Sequence, residues 1–218
     1  FWSRSAAKDK RIARTLCQKL CMTYDALIAL LAFAFVTSVT PGPNNMMLLA
    51  SGVNFGFRRT VPHMLGISLG HALMVFLVGM GLAGVFEAVP VLHSVLKVLS
   101  VAYMLWLAWK IAHAAAPEGG TAQGRPFRFW QAAAFQWVNP KAWAMALGAV
   151  TVYAPDRGLT TMALVALVFC AVNLPSVSVW TVVGQGLRRW LTVPARLRAF
   201  NWTMAGLLVL SLWPVLTH

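Results

Sequence analysis

Two short polar stretches interrupt otherwise apolar sequence. PGPNN covers residues 41–45 inside ALIALLAFAFVTSVTPGPNNMMLLASG, and QWVNPK covers residues 136–141 inside a similar run. Pro41, Gly42, Pro43, Asn44 and Asn45 form the first. Gln136, Asn139, Pro140 and Lys141 are the polar or helix-breaking members of the second. Proline removes a backbone donor and frees the carbonyl one turn earlier. In lipid an unpaired backbone group costs several kcal/mol, so a break survives only where it is buried in protein or lines a polar cavity. The exposed carbonyls, N–H groups and amides become ligands. A zwitterionic amino acid fits them: its carboxylate suits the N-terminus of a half-helix, and its ammonium suits freed carbonyls and Asn oxygens. A simple kink is the alternative, since membrane helices tolerate Pro and Gly. Two breaks in matching positions, each with Asn, favour a site.

Within the two stretches each residue also has a plainer reading. Asn44 and Asn45 line the path or cap the half-helix that follows, Asn being a favoured N-cap. They point about 100° apart, so both need not face a cavity. Gln136 and Asn139 share a helix face and contact substrate or bond a neighbouring helix. Lys141 attracts a carboxylate or snorkels to the interface. Lys97 is read as a snorkelling or paired residue. His71 is near the middle of an apolar helix and, as a histidine, could titrate in the physiological range, which makes it the proton-coupling candidate; a packing donor to a neighbouring carbonyl is the alternative. The five acids, Asp9, Asp25, Glu87, Glu118 and Asp156, all stand away from span centres. Cys17, Cys21 and Cys170 show neither a disulfide pattern nor metal spacing, so no metal and no cofactor are expected.

These residues sit in a chain of 218, of which 59% are hydrophobic and 11% charged, with a mean hydropathy of +0.69. A soluble domain is nearer half apolar and a quarter charged, so this is an all-α integral membrane protein. The net charge of +13 lies between apolar runs or in the N-terminal arm, and no basic patch with interleaved aromatics points to nucleic acid. A span needs about 20 apolar residues. Six segments qualify, approximately 24–51, 62–85, 89–112, 129–151, 159–184 and 199–216. Residues 114–127, rich in Pro, Gly and charge, read as a cytoplasmic linker. It separates a three-helix repeat, 22–113, from a second, 128–218. Three is odd, so the second half enters the bilayer from the opposite side. The expectation is two inverted repeats with helices 1 and 4 broken.

The basic connections, with Arg58 and Arg59, with Lys110, Arg125 and Arg128, and with Arg188, Arg189, Arg196 and Arg198, face the cytoplasm. The arm, residues 1–21, carries six bases on the wrong side of that scheme. It reads as an upstream extension foreign to the native chain, or as a basic amphipathic anchor on anionic lipid. Gly66 and Gly70 form a G-x-x-x-G pair that packs helices within the chain or joins a homodimer. Trp106, Trp109, Trp130, Trp190 and Trp202 read as interfacial anchors.

VTPGPNN, followed by SGVNFGFRRT and then GISLG, resembles the opening of the LysE/RhtB superfamily of amino-acid exporters. VLKVLSVAYMLWLAWK, with Lys97 and Tyr103, is similar to that family's third helix, and FRFWQAAAFQWVNPKAW to its fourth-helix entry. The resemblance runs from Met22 to about Pro214. LAWKIA followed by PFRFWQAAAFQWVNPK is most like the cysteine/O-acetylserine exporter branch. It implies a six-helix carrier of the bacterial inner membrane that moves small neutral amino acids outward by proton antiport. The family motifs fall on Pro41, Gly42, Pro43, Asn44 and Asn45, and on Asn139, Pro140 and Lys141. Many members carry an Asp in the fifth helix near the place of Asn173 here. Asn cannot titrate, so a proton role for that position does not carry over. A passive channel for small zwitterions is the competing reading. A membrane enzyme is disfavoured by the lack of a metal cluster, a carboxylate pair or a nucleophile arrangement.

Overall fold

The computed structural model describes residues 24–82, 84, 88–113, 125–155 and 158–213. The described residues are helical, with no strand among them. The arm at 1–21 with Cys17 and Cys21, the linker up to residue 124, and Glu87, Asp156 and Arg157 lie outside them.

The first expected span is two helices, α1 (Tyr24–Val39) and α2 (Pro43–Phe55), bent by 55° at the PGP break. A single residue, Gly56, then turns the chain into α3 (Phe57–Leu77). Its φ of 76° is a region that side chains with a Cβ rarely adopt. The connection expected before residue 62 is therefore helical, and Pro62 sits inside α3. A π-helical turn, Val78–Leu82, ends it. Next come α4 (Pro90–Ala112), α5 (Phe129–Phe135), a 3-10 turn (Gln136–Val138) and α6 (Pro140–Tyr153). The chain closes with α7 (Leu159–Leu187) and α8 (Pro194–Leu210). The last helix starts earlier than expected because Pro194 supplies the preset φ that suits a first helical position.

Three stretches are long and apolar enough to cross a membrane: Phe57–Leu82, Ser94–Ala112 and Leu159–Leu187. The bent α1–α2 pair makes a fourth if it counts as one span. The surface is what a bilayer requires. Leu73, Val98, Val152, Leu167 and Leu210 are each more than half exposed, and lipid tails solvate such groups where water would not. The five anchor tryptophans are all exposed.

Helix association in lipid depends on close van der Waals approach more than on hydrophobic driving force. Two crossings are backbone-tight. A Cβ at Gly52 would strike the Thr181 carbonyl, and one at Gly184 the Leu49 carbonyl, so α2 lies directly on α7. A Cβ at Gly66 would strike the Phe129 carbonyl, and one at Gly70 would come within 2.7 Å of Ala133 Cα. The G-x-x-x-G pair thus seats α3 on α5 within the chain. One apolar cluster joins α1, α3, α6 and α7 through Leu30, Met74, Ala146, Met162 and Phe169. A second joins α4 to α8 through Met104, Leu107, Ala205 and Leu208.

Candidate functional site

The two breaks meet. Pro43 and Pro140 hold equivalent positions, each the first residue of the helix that follows its break. Between the breaks lies a cavity of about 20 Å³, lined by Gly42, Asn44, Asn45, Gln136, Asn139 and Lys141. Thr37, Ser38, His71, Ala142, Met145, Asn173 and Val177 complete the wall. That volume suits a water molecule and not an amino acid. The site as it stands is closed to an amino acid.

Asn44 Nδ2 donates to Gln136 Oε1 at 2.8 Å, and Gln136 Nε2 donates back to Asn44 Oδ1 at 3.2 Å. Gln136 Nε2 also reaches the Ala132 carbonyl at 2.8 Å. Asn139 caps α6: its Oδ1 accepts the Lys141 N–H at 3.2 Å. Capping by Asn does not occur at the first break, where the N-cap is Gly42.

The freed carbonyls were expected to be bare, and they are not. Thr37 O accepts from Thr40 Oγ1 at 3.0 Å. Ser38 O accepts from Asn45 Nδ2 at 2.8 Å. Val39 O, whose helical donor Pro43 lacks, accepts from Trp180 Nε1 at 3.1 Å. Thr40 O takes Asn45 Nδ2 at 2.8 Å and Lys141 Nζ at 2.7 Å. Gly42 O already accepts the Met46 N–H at 3.0 Å. Asn45 is thus a staple for its own break. A tryptophan does similar work at the second: Trp143 Nε1 donates to Trp137 O at 2.9 Å.

The Lys141 ammonium is turned toward the first break. It bonds Thr40 O, Thr40 Oγ1 at 2.9 Å and Pro41 O at 3.4 Å. The breaks are therefore tied by Lys141 as well as by the amide pair. Pro41, Pro43 and Pro140 shape the breaks without lining the cavity.

His71 lines the cavity with both ring nitrogens buried and without a hydrogen-bond partner. The ring stands edge-on to Phe169 at 5.3 Å between centroids. The packing-donor reading of His71 is not what the structure shows. Nearby, Ser68 Oγ donates to Asn173 Oδ1 at 3.2 Å, and Asn173 Nδ2 donates to Ser38 Oγ at 3.3 Å. This chain crosses from α3 through α7 to α1. Ser38, Thr40 and Ser68 were not singled out from sequence. The signal was present in TSVT, a run of hydroxyls just before the first proline. No group of three or more His, Cys, Asp or Glu able to hold a metal occurs among the described residues.

The family model for LysE type translocators matches residues 35–212. This chain belongs to the LysE family. Its relatives include a Klebsiella pneumoniae protein named "Cysteine/O-acetylserine efflux protein". That protein is 30% identical over 190 residues, 86% of this chain and 95% of the relative. Proteins of the same name from Escherichia coli K12 and Shigella sonnei are each 38% identical over 121 residues, 55% of this chain and 61% of theirs. No solved structure matches the chain. The LysE-family chain is a multi-pass membrane protein, and both breaks lie inside the matched region.

Proposed function

We propose that this protein exports small neutral amino acids of the cysteine and O-acetylserine class from the cytoplasm across a bacterial inner membrane, by proton antiport. The observation that carries the reading is the reciprocal Asn44–Gln136 amide pair. It closes a polar cavity made jointly by two interrupted helices, the arrangement from which transporters build midplane sites. The relatives' names support the substrate class. Two inverted three-helix repeats, 22–113 and 128–218, would move against each other about this cavity. The equivalent places of Pro43 and Pro140 support that pairing.

In this mechanism the amide pair opens to admit substrate. Asn44 and Gln136 then bond its carboxylate and ammonium in place of each other. His71, with no protein partner on either nitrogen, takes up the proton that travels inward as the amino acid leaves. The test is export from proteoliposomes loaded with radiolabelled L-cysteine. Accumulation against a gradient, abolished by an uncoupler and by Asn44→Ala, is the expected result. Cysteine flux that only equilibrates would replace the reading with a passive facilitator. One observation favours that alternative: among the described residues no carboxylate lines the cavity, where Asn173 stands in the wall. Absence of flux for cysteine and for a panel of other amino acids would remove both.

A further inference from the structure

The Lys141 ammonium occupies the place that an amino acid's own ammonium would need. A primary ammonium has three donors and no acceptor. Lys141 Nζ finds three oxygens: Thr40 O at 2.7 Å, Thr40 Oγ1 at 2.9 Å and Pro41 O at 3.4 Å. An α-ammonium has the same valence and charge, so the same three oxygens would recognise it. The seat lies in the non-helical residues between α1 and α2, where Thr40 O and Pro41 O fall outside both helices.

Elsewhere along the break the acceptors are closed to substrate. The Ser38, Val39 and Gly42 carbonyls hold donors fixed by buried or helical neighbours. Thr40 Oγ1 and the Pro41 carbonyl are different, since the donor they accept from sits at the end of a flexible four-carbon stem from the other half of the chain, and Thr40 O shares that donor with Asn45 Nδ2. That stem passes over Gly42, where a Cβ would lie 2.7 Å from Lys141 Cδ. Glycine at position 42 therefore clears the route by which Lys141 reaches the seat. The lysine head has no carboxylate to hold it: Asp25, at the start of α1, is the one acid among the described residues. The cavity beside it measures about 20 Å³.

We propose that Lys141 is a tethered competitor: its ammonium fills the substrate's ammonium seat in the closed form and is displaced by the substrate's ammonium when an amino acid enters. This rests on the exporter reading above. Ligands without a primary ammonium cannot evict it, so Lys141 sets selectivity for amino acids over the corresponding hydroxy acids. A lysine that merely stapled the two breaks would have no such effect.

The test is equilibrium binding of radiolabelled L-cysteine to the full chain in lipid nanodiscs, with methylammonium as a probe of the vacant seat. Lys141→Met is expected to bind cysteine about tenfold more tightly than wild type, since an occupied seat lowers apparent affinity by the fraction of time it is blocked. Methylammonium, inert against wild type, should compete with cysteine in the variant. Gly42→Ala provides a second route, pushing the lysine stem aside while keeping all three oxygens, and should shift both measurements the same way. Unchanged or weaker cysteine binding with methylammonium still inert, in whichever of the two variants folds, overturns the competitor and leaves a staple, with the exporter reading intact. No binding of cysteine or any other amino acid by wild type and variants alike removes the exporter reading and this inference with it.

Discussion

Asn44 and Gln136, 92 positions apart in the chain, exchange two side-chain hydrogen bonds at 2.8 and 3.2 Å. Each comes from a different interrupted helix. Neither amide is held by its own break alone, so the pair reports directly on whether the two halves are apposed. An amide has two donors and an acceptor, and the arrangement uses them reciprocally. In the proposed mechanism it opens, and the same groups bond the carboxylate and ammonium of the amino acid.

The two amides should therefore be energetically coupled. Asn44→Ala strands buried donor and acceptor groups of Gln136, which costs about 1–3 kcal/mol. Gln136→Ala leaves the half-buried Asn44 amide without this partner, at a smaller cost. The double variant should lose less than the two single losses combined, with a coupling of about 1 kcal/mol, as contacting residues usually show. Thermal unfolding of the four proteins in detergent checks this. Simple additivity would mean that the two amides do not touch.

Helix crossings give a second, independent expectation. At Gly70 a Cβ would meet Ala133 Cα at 2.7 Å, and at Gly184 it would strike the Leu49 carbonyl. In both cases backbone must move. Gly70→Ala and Gly184→Ala should each cost about 1–3 kcal/mol, the usual penalty of overpacking. Gly206 on α8 has nothing within 4 Å of such a Cβ. There alanine should be neutral or stabilise the helix by up to about 1 kcal/mol, by reducing backbone entropy in the unfolded chain. Gel-filtration monodispersity and melting temperature separate the three variants.

Much of this was legible in the residues. Pro43 and Pro140 announced both breaks, and Gly66 and Gly70 a close crossing, because proline and glycine act on the backbone wherever they stand. The partners that complete the breaks were not legible. Trp180 reaches the Val39 carbonyl across 141 positions, and no local pattern marks that. Lys141 read equally well as a carboxylate seat or a snorkelling residue, since charge alone does not say which oxygens a long stem will find. The corner at Gly56 looked like a loop because FRR and Pro62 suggested one, yet a single left-handed glycine suffices. Asn45 resembled Asn44 in sequence; the 100° between neighbours on a helix sends it back to Ser38 and Thr40 instead.

Proton coupling is expected to depend on one imidazole and not on its neighbour. His71 and His63 are both buried in α3 without partners on either ring nitrogen. His71 lines the cavity; His63 packs against Phe127 at 5.2 Å and does not. In wild-type proteoliposomes, acid on the side that receives the amino acid should accelerate export, because that gradient drives protons the opposite way. His71→Gln should flatten this dependence while the protein stays folded, and His63→Gln should leave it in place. Equal pH dependence in wild type and His71→Gln would exclude His71 as the proton carrier.

Asn173 offers the converse experiment, adding a titratable group where the chain has none. Its amide sits between Ser68 and Ser38, two hydroxyls that can each donate or accept. Asn173→Asp keeps the shape, and both serines can turn to donate to a carboxylate, so the fold should survive. Protonated, the new carboxyl resembles the amide it replaces, and the KM for cysteine should match the parent. Ionised, it places a negative charge on the cavity wall, where it would attract a substrate ammonium bound on the α7 side. A hydrogen bond to a charged group contributes about 1.5–3 kcal/mol, so KM should fall about tenfold or more as pH rises through the titration. The parent should show no such step. A KM in the variant that follows the parent across the whole range would place the substrate's ammonium away from α7, and would leave only the Thr40 side of the cavity to bind it.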